Sequence, residues 1–183
     1  EVCSCTIKPG ITLTIAGNKT LTVNQNLTIG TGGKLLLQNN ASLLQTNTAA
    51  DAFIGDYDSF VVQRNTAGVR RYDFTFWRSP INRTPGFTLH DRSPETLSDK
   101  YYSYIPGTGW KISYNGIQTM EPGIGYIVRA PQTYDINNAS IYKATFTGKP
   151  NNGDYFITNV PGKSILIGNP HPSAVDAALF IKI

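Results

Sequence analysis

The side chains able to do chemistry in this chain are few and scattered. His90 precedes Asp91 in a loop-like stretch, and His171 lies between Pro170 and Pro172. No serine sits in a Gly-x-Ser-x-Gly elbow, and no nucleophile is spaced to a base. Both histidines therefore read as surface or hydrogen-bonding residues. Gly162-Lys163-Ser164 ends like a phosphate-binding loop but lacks the glycine that opens one. Gly107-Thr108-Gly109 and Gly123-Ile124-Gly125 lack the third glycine and the following helix of a dinucleotide fingerprint. Asp56 and Asp58 flank Tyr57 and are the weak candidates for a metal, as oxygen donors to calcium, with no further ligand at alternate positions. Cys3 and Cys5 lack a neighbouring His or further Cys, so they make a poor zinc site. Free thiols, a bond to a segment outside the chain, or a strained local bridge are the open alternatives. Glycoside hydrolysis needs two placed carboxylates, and the 12 acidic residues are spread too widely to nominate a pair. The chain is expected to have no catalytic residues, no cofactor and no metal requirement.

Rings are the richer chemical resource. Trp77, Trp110, Tyr101, Tyr102, Tyr104, Tyr114 and Tyr126 could stack on the apolar faces of sugars, or could fill a core. Tyr72, Phe74 and Phe76 alternate with Asp73, Thr75 and Trp77, so both faces of that strand carry rings. One face must be core; the other is either covered or an exposed platform. Trp77, Trp110, Tyr102 and Arg78 are the candidate ligand-binding residues. Arg78 belongs to a run of six arginines, Arg64, Arg70, Arg71, Arg78, Arg83 and Arg92, which reads as solvated edges and loops or as a patch for anions and acidic glycans.

The elements that must position these residues are strands. From Ile11 to Leu44 the sequence repeats a short apolar alternation followed by a polar turn, with anchors Leu13, Leu21, Leu27, Leu35 and Leu43 every six to eight residues. None of these strands can bury its apolar face alone, but stacked as rungs they can. Residues 1–50 are expected to form a stacked, β-solenoid-like ladder. The composition then shifts at Asn47–Asp51. Residues 51–183 are expected to form an antiparallel β-sandwich, incomplete at its C-terminal end, with strands at 59–63, 72–77, 101–105, 110–113, 125–130, 144–147, 153–159 and 164–168. Pro94–Lys100 and Ser173–Phe180 could supply a helical turn or two, the second with Ser173 as cap. The fold class is all-β.

Charged residues are 15% of the 183, below the usual quarter, and Asn, Thr, Ser, Gly and Tyr fill the gap. That balance suits extracellular β proteins. A net charge of +4 is too weak to point to nucleic acid, and no apolar run is long enough to span a membrane. No signal peptide precedes Glu1, so in a secreted protein that segment would already be gone. The Asn-x-Ser/Thr triplets at Asn18, Asn26, Asn40, Asn82 and Asn138 are read as chance in an Asn- and Thr-rich chain.

Several phrases in order carry a resemblance. They are Arg71-Tyr72-Asp73-Phe74-Thr75-Phe76-Trp77-Arg78-Ser79-Pro80, then Ser93–Tyr104, Met120–Pro131, Phe146–Gly153 and Leu166–Ala177. Together they resemble a region of large secreted, adhesin-like cell-surface proteins of Bacteroidetes, especially flavobacteria, exported by the type IX secretion system. The resemblance implies a secreted, extracellular module at the cell surface of a Gram-negative bacterium. Its partners would be other surface or outer-membrane proteins, and glycans. It also implies a chain that continues beyond the Asn-Pro-x-Pro phrase. Separately, the apolar stretch that runs to Ile183 with no closing turn gives the expectation of a buried terminus and a last strand supplied by a following region or a partner. The expected function is structural or adhesive and non-enzymatic. The alternatives are a carbohydrate-binding module of a polysaccharide-degrading enzyme and an accessory subunit of an outer-membrane assembly.

Overall fold

The computed structural model describes residues 1–49 and 51–181. The first strands are β1 (Cys5–Ile7), β2 (Thr12–Ile15), β3 (Thr20–Val23), β4 (Leu27–Ile29), β5 (Lys34–Leu37), β6 (Ser42–Gln45), β7 (Phe53–Ile54) and β8 (Phe60–Val69). They pair in parallel: β1 with β4, β2 with β5, and β3 with β6. Cys5 faces Leu27, Thr12 faces Lys34 and Thr20 faces Ser42, a constant offset of 22 residues (27 − 5, 34 − 12, 42 − 20). The repeating unit is therefore a tier of three strands, and the six-to-eight-residue spacing is the distance between its sides.

Turn chemistry repeats with the same offset. Gly10 and Gly32 both have φ of 69°, and Asn18 and Asn40 have φ of 62° and 64°. Glycine and asparagine are the residues that enter this region at least cost. A Cβ on Gly17 would stand 2.7 Å from the Asn39 carbonyl oxygen, so the first tier's turn lies directly against the second's.

The parallel stack runs past residue 50. Leu27 faces Phe53 and Leu35 faces Phe60, offsets of 26 and 25 (53 − 27, 60 − 35), so β7 and β8 begin a third tier. The longer connector and the change from Leu to Phe anchors hide this tier in the sequence. β8 then pairs antiparallel with β14 (Ser140–Pro150), which joins the stack to the rest of the chain in a sheet ordered β10-β14-β8-β5-β2, where β10 is Ile81–Asn82.

A four-stranded antiparallel sheet follows, ordered β12-β11-β13-β9, from β9 (Phe74–Trp77), β11 (Tyr101–Ile105), β12 (Gly109–Ile112) and β13 (Tyr126–Arg129). Its inner side chains join Leu27, Leu35, Phe60 and Phe146 in one apolar core. Trp77 meets Phe146 at 6.1 Å between ring centroids. The chain is all-β, with several sheets. Among the described residues its α-helices are short: α1 (Leu89–Arg92) and α2 (Ala177–Ile181).

Several expectations need correction. Residues 153–159 and 164–168 form no strands; a single bridge, Ile124 to Ile167, ties the second segment to the main body. Both segments alternate in sequence, but no neighbouring strand presents them a ladder of partners. Pro94–Lys100 makes turns, while the helix forms just before it, where Thr88 accepts the Asp91 N–H and Asp91 accepts the Thr88 N–H. The last helix starts later than expected. Asp176, not Ser173, accepts the N–H groups of Ala178 and Leu179. The expectation that the C-terminal end of the sandwich is completed from outside bears in part on residues 182–183, outside those described; Leu179 and Phe180 are exposed.

Candidate functional site

Register decides which rings of the four-stranded sheet share a face. Tyr104 faces Trp110, Tyr102 faces Ile112 and Ile127, Ile127 faces Phe76, and Arg129 faces Phe74. Side chains directly opposite in antiparallel strands project to the same side. The intervening residues Tyr101, Ser103, Tyr126, Val128 and Trp77 are buried. The outer face is therefore Phe74, Phe76, Ile127, Tyr102, Tyr104, Trp110 and Ile112. Phe76 is 67% exposed, Trp110 47% and Phe74 44%. The tyrosines and isoleucines between them are half-buried.

The rings brace one another. Phe74 and Tyr102 meet over β13, centroids 5.8 Å apart and planes at 67°. Tyr104 and Trp110 lie 5.2 Å apart at 81°. These are edge-to-face pairs, the arrangement favoured by the ring quadrupoles, and they do not form one coplanar platform. At the margin, Arg129 is buried, donates from Nη2 to Gln132 Oε1 at 2.6 Å, and lies 5.6 Å from the Tyr72 ring. Such a face can bind through apolar contact and dispersion. It carries no acid–base pair or nucleophile.

Of the four candidates drawn from the sequence, Tyr102 and Trp110 come together on this face. Trp77 lies on the opposite, buried side of the same sheet, with the Arg92 guanidinium 3.4 Å from its ring centroid. Arg78 is half-buried elsewhere and donates to the His171 carbonyl at 2.9 Å. Burial, and then the positive charge of Arg64, pull its pKa down to about 10. Phe74, Phe76 and Tyr104 complete the face and were not among the four. The signal for them was the alternation itself, which shows that rings share a side but not which side is covered.

The other chemical candidates stay apart. Asp56 and Asp58 are exposed in the turn before β8, and among the described residues no group of three His, Cys, Asp or Glu gathers for a metal. Cys3 and Cys5 are both free, and partial burial raises the Cys5 pKa. His171 stacks edge-on against Tyr155 at 5.8 Å beside a mostly apolar cleft of about 710 Å³ that also takes in Ile157, Ile165 and Ile167. Among the described residues no helix is long and apolar enough to cross a membrane.

Fold and site together define an all-β domain in which parallel tiers run on into β14 and β10, and a separate antiparallel sheet packed on the same core presents an uncovered aromatic face. Residues 1–183 match the family DUF8693, a domain of unknown function, and the chain belongs to that family. No curated protein and no solved structure matches it.

Proposed function

We propose that this chain is a non-enzymatic structural and adhesive module of a secreted bacterial cell-surface protein, and that the outer face of the four-stranded sheet makes its contacts. The observation that carries this reading is that face: Phe74, Phe76, Tyr102, Tyr104 and Trp110 lie together on a sheet whose opposite side is core. Contiguous exposed apolar surface on a folded domain marks an interaction site. The parallel tiers are read as a β-solenoid-like ladder and the antiparallel sheets as a β-sandwich. The constant 22-residue offset supports the first and the Trp77–Phe146 contact between sheets the second. A ladder whose β8 pairs with β14, itself packed through Phe146 on Trp77 of the four-stranded sheet, suits a spacer that projects a contact surface. The address, the surface of a Gram-negative bacterium reached by type IX secretion, rests on the phrases from Arg71 to Ala177 that resemble the adhesin-like proteins of Bacteroidetes.

The carbohydrate-binding reading is favoured by one observation, the exposure of Trp110 beside Tyr104. The perpendicular planes of that pair favour an irregular apolar partner over a flat sugar ring. Co-sedimentation with outer-membrane vesicles and with insoluble cellulose, chitin and xylan separates the two. Vesicle binding that soluble oligosaccharides fail to compete supports adhesion to surface components. Polysaccharide binding competed by the matching oligosaccharide supports the alternative. Turnover on a glycan and ester panel, lost in His90→Ala or His171→Ala, would overturn both.

A further inference from the structure

The first tier is covered on one side only. β1, β2 and β3 each stand at the end of their sheet, paired on the inner edge with β4, β5 and β6. The third side is met at one end by the chain itself. Val2 bridges Val23 in parallel, its N–H donates to the Thr22 carbonyl at 2.9 Å, and its carbonyl accepts from Asn24 at 3.0 Å. This bridge has an offset of 21 (23 − 2), one residue short of the 22 that relates the tiers, and it shows that the outer edge of β3 accepts a neighbour in the parallel sense.

The second tier shows what cover does. Leu35, Leu37 and Leu43 are fully buried, whereas their partners in the first tier, Leu13, Ile15 and Leu21, are only half-buried. The two members of each pair are matched in register and both aliphatic, and they differ in the layer above them; elsewhere in the first tier Ile7 and Val23 are already buried, so the opening is centred on β2 and the start of β3. Exposed edges in native sheets are normally blunted by charge, proline or bulges. The three outer strands read Cys-Thr-Ile, Thr-Leu-Thr-Ile and Thr-Leu-Thr-Val, with no charge or proline, and their pairings carry no register shift.

We propose that this open end is a docking edge for a further three-strand β-tier of the same 22-residue build, pairing in parallel and carrying aliphatic side chains over Leu13, Ile15 and Leu21. The tier comes from a polypeptide segment other than a second copy of this chain. Head-to-tail stacking of copies is blocked, because β14 occupies the far edge of β8 in the antiparallel sense. Head-to-head contact would pair the strands antiparallel, against the sense that Val2 continues. The partner's pattern is aliphatic and threonine residues in alternation, with Gly or Asn at the corners, as at Gly10 and Asn18.

The test joins a copy of residues 1–22 directly ahead of Glu1 in the full chain, which repeats the 22-residue spacing that relates the first two tiers. The control carries the same residues in scrambled order. Hydrogen exchange is followed at 12–15 and 20–23, where the outward amides of the unmodified chain are open. The expected result is slowing of those amides by about tenfold or more with the ordered copy and no change with the scrambled one. Equal exchange in the two extended chains, or an ordered copy that unfolds the chain, overturns the proposal. So does an unmodified chain that sediments as a dimer with these amides already protected, since a second copy would then be the occupant.

Discussion

Arg92 has its charge buried in the core with rings in place of a carboxylate. Its guanidinium lies 3.4 Å from the Trp77 ring centroid and 4.6 Å from that of Tyr142, and the two ion pairs among the described residues lie elsewhere. Burial pulls its pKa down to about 9, opposed by the neighbouring tyrosines. A desolvated cation over an aromatic face gains about 2 kcal/mol or more, and the planar fork suits that stacking better than an ammonium. Arg92→Ala is expected to cost about 2–4 kcal/mol through lost stacking and a cavity, and Arg92→Lys to recover only part of it. Thermal unfolding of both variants checks this; a lysine variant as stable as the wild type would contradict it. Tyr101 and Tyr126 give a second prediction. Burial raises both pKa values, partly opposed at Tyr101 by the bond to Thr96 and at Tyr126 by the backbone at Glu121. The folded state holds these phenol protons to higher pH than the unfolded state, whose tyrosines ionise near pH 10. Stability is therefore unaffected by them below about pH 10 and falls as pH rises from there through the raised folded values. Tyrosinate absorbance should develop in part together with loss of near-ultraviolet dichroism. Full tyrosine titration in a chain that stays folded would contradict it.

At the level of elements, the alternation of Ile, Leu and Val with Thr exposed the strands of the first two tiers, because buried and outward positions differ in polarity. The period of the stack was legible too, at Gly10 and Gly32 and at Asn18 and Asn40, but only once three phrases are counted as one unit. These asparagines also give two of the Asn-x-Ser/Thr triplets a conformational role. Asn40 is exposed with φ of 64°, so Asn40→Ala should cost about 1 kcal/mol and Asn40→Gly little or nothing. Chemical denaturation of the two variants checks this, and equal midpoints would show that the turn conformation carries no such cost. The third tier was hidden because Phe53 and Phe60 replace the leucine anchors across a longer connector. Segments 153–159 and 164–168 have strand-like composition, yet strands need neighbours, and composition does not say where a partner edge lies. The same limit applied to the site. Tyr102 and Trp110 could be nominated as rings, but the side of the sheet that packs on β14 depends on a contact between residues far apart in sequence. Trp77 went to the inside for that reason.

Across the whole molecule, one apolar core links the parallel tiers to the four-stranded sheet, and each end leaves a different surface open: strand edges at the first tier and rings on the outer sheet face. The proposed adhesive role depends on the second surface. Phe76 and Trp110 project from it without supporting the core, so replacing both with serine should leave the fold intact. The most direct measurement compares retention under flow of beads coated with the wild-type chain or with the Phe76→Ser, Trp110→Ser variant, on a layer of outer-membrane vesicles. The stability of the variant is expected to lie within about 1 kcal/mol of the wild type, as for exposed substitutions, and its beads are expected to wash away while wild-type beads hold. Equal retention of the two, with both chains folded, would contradict it.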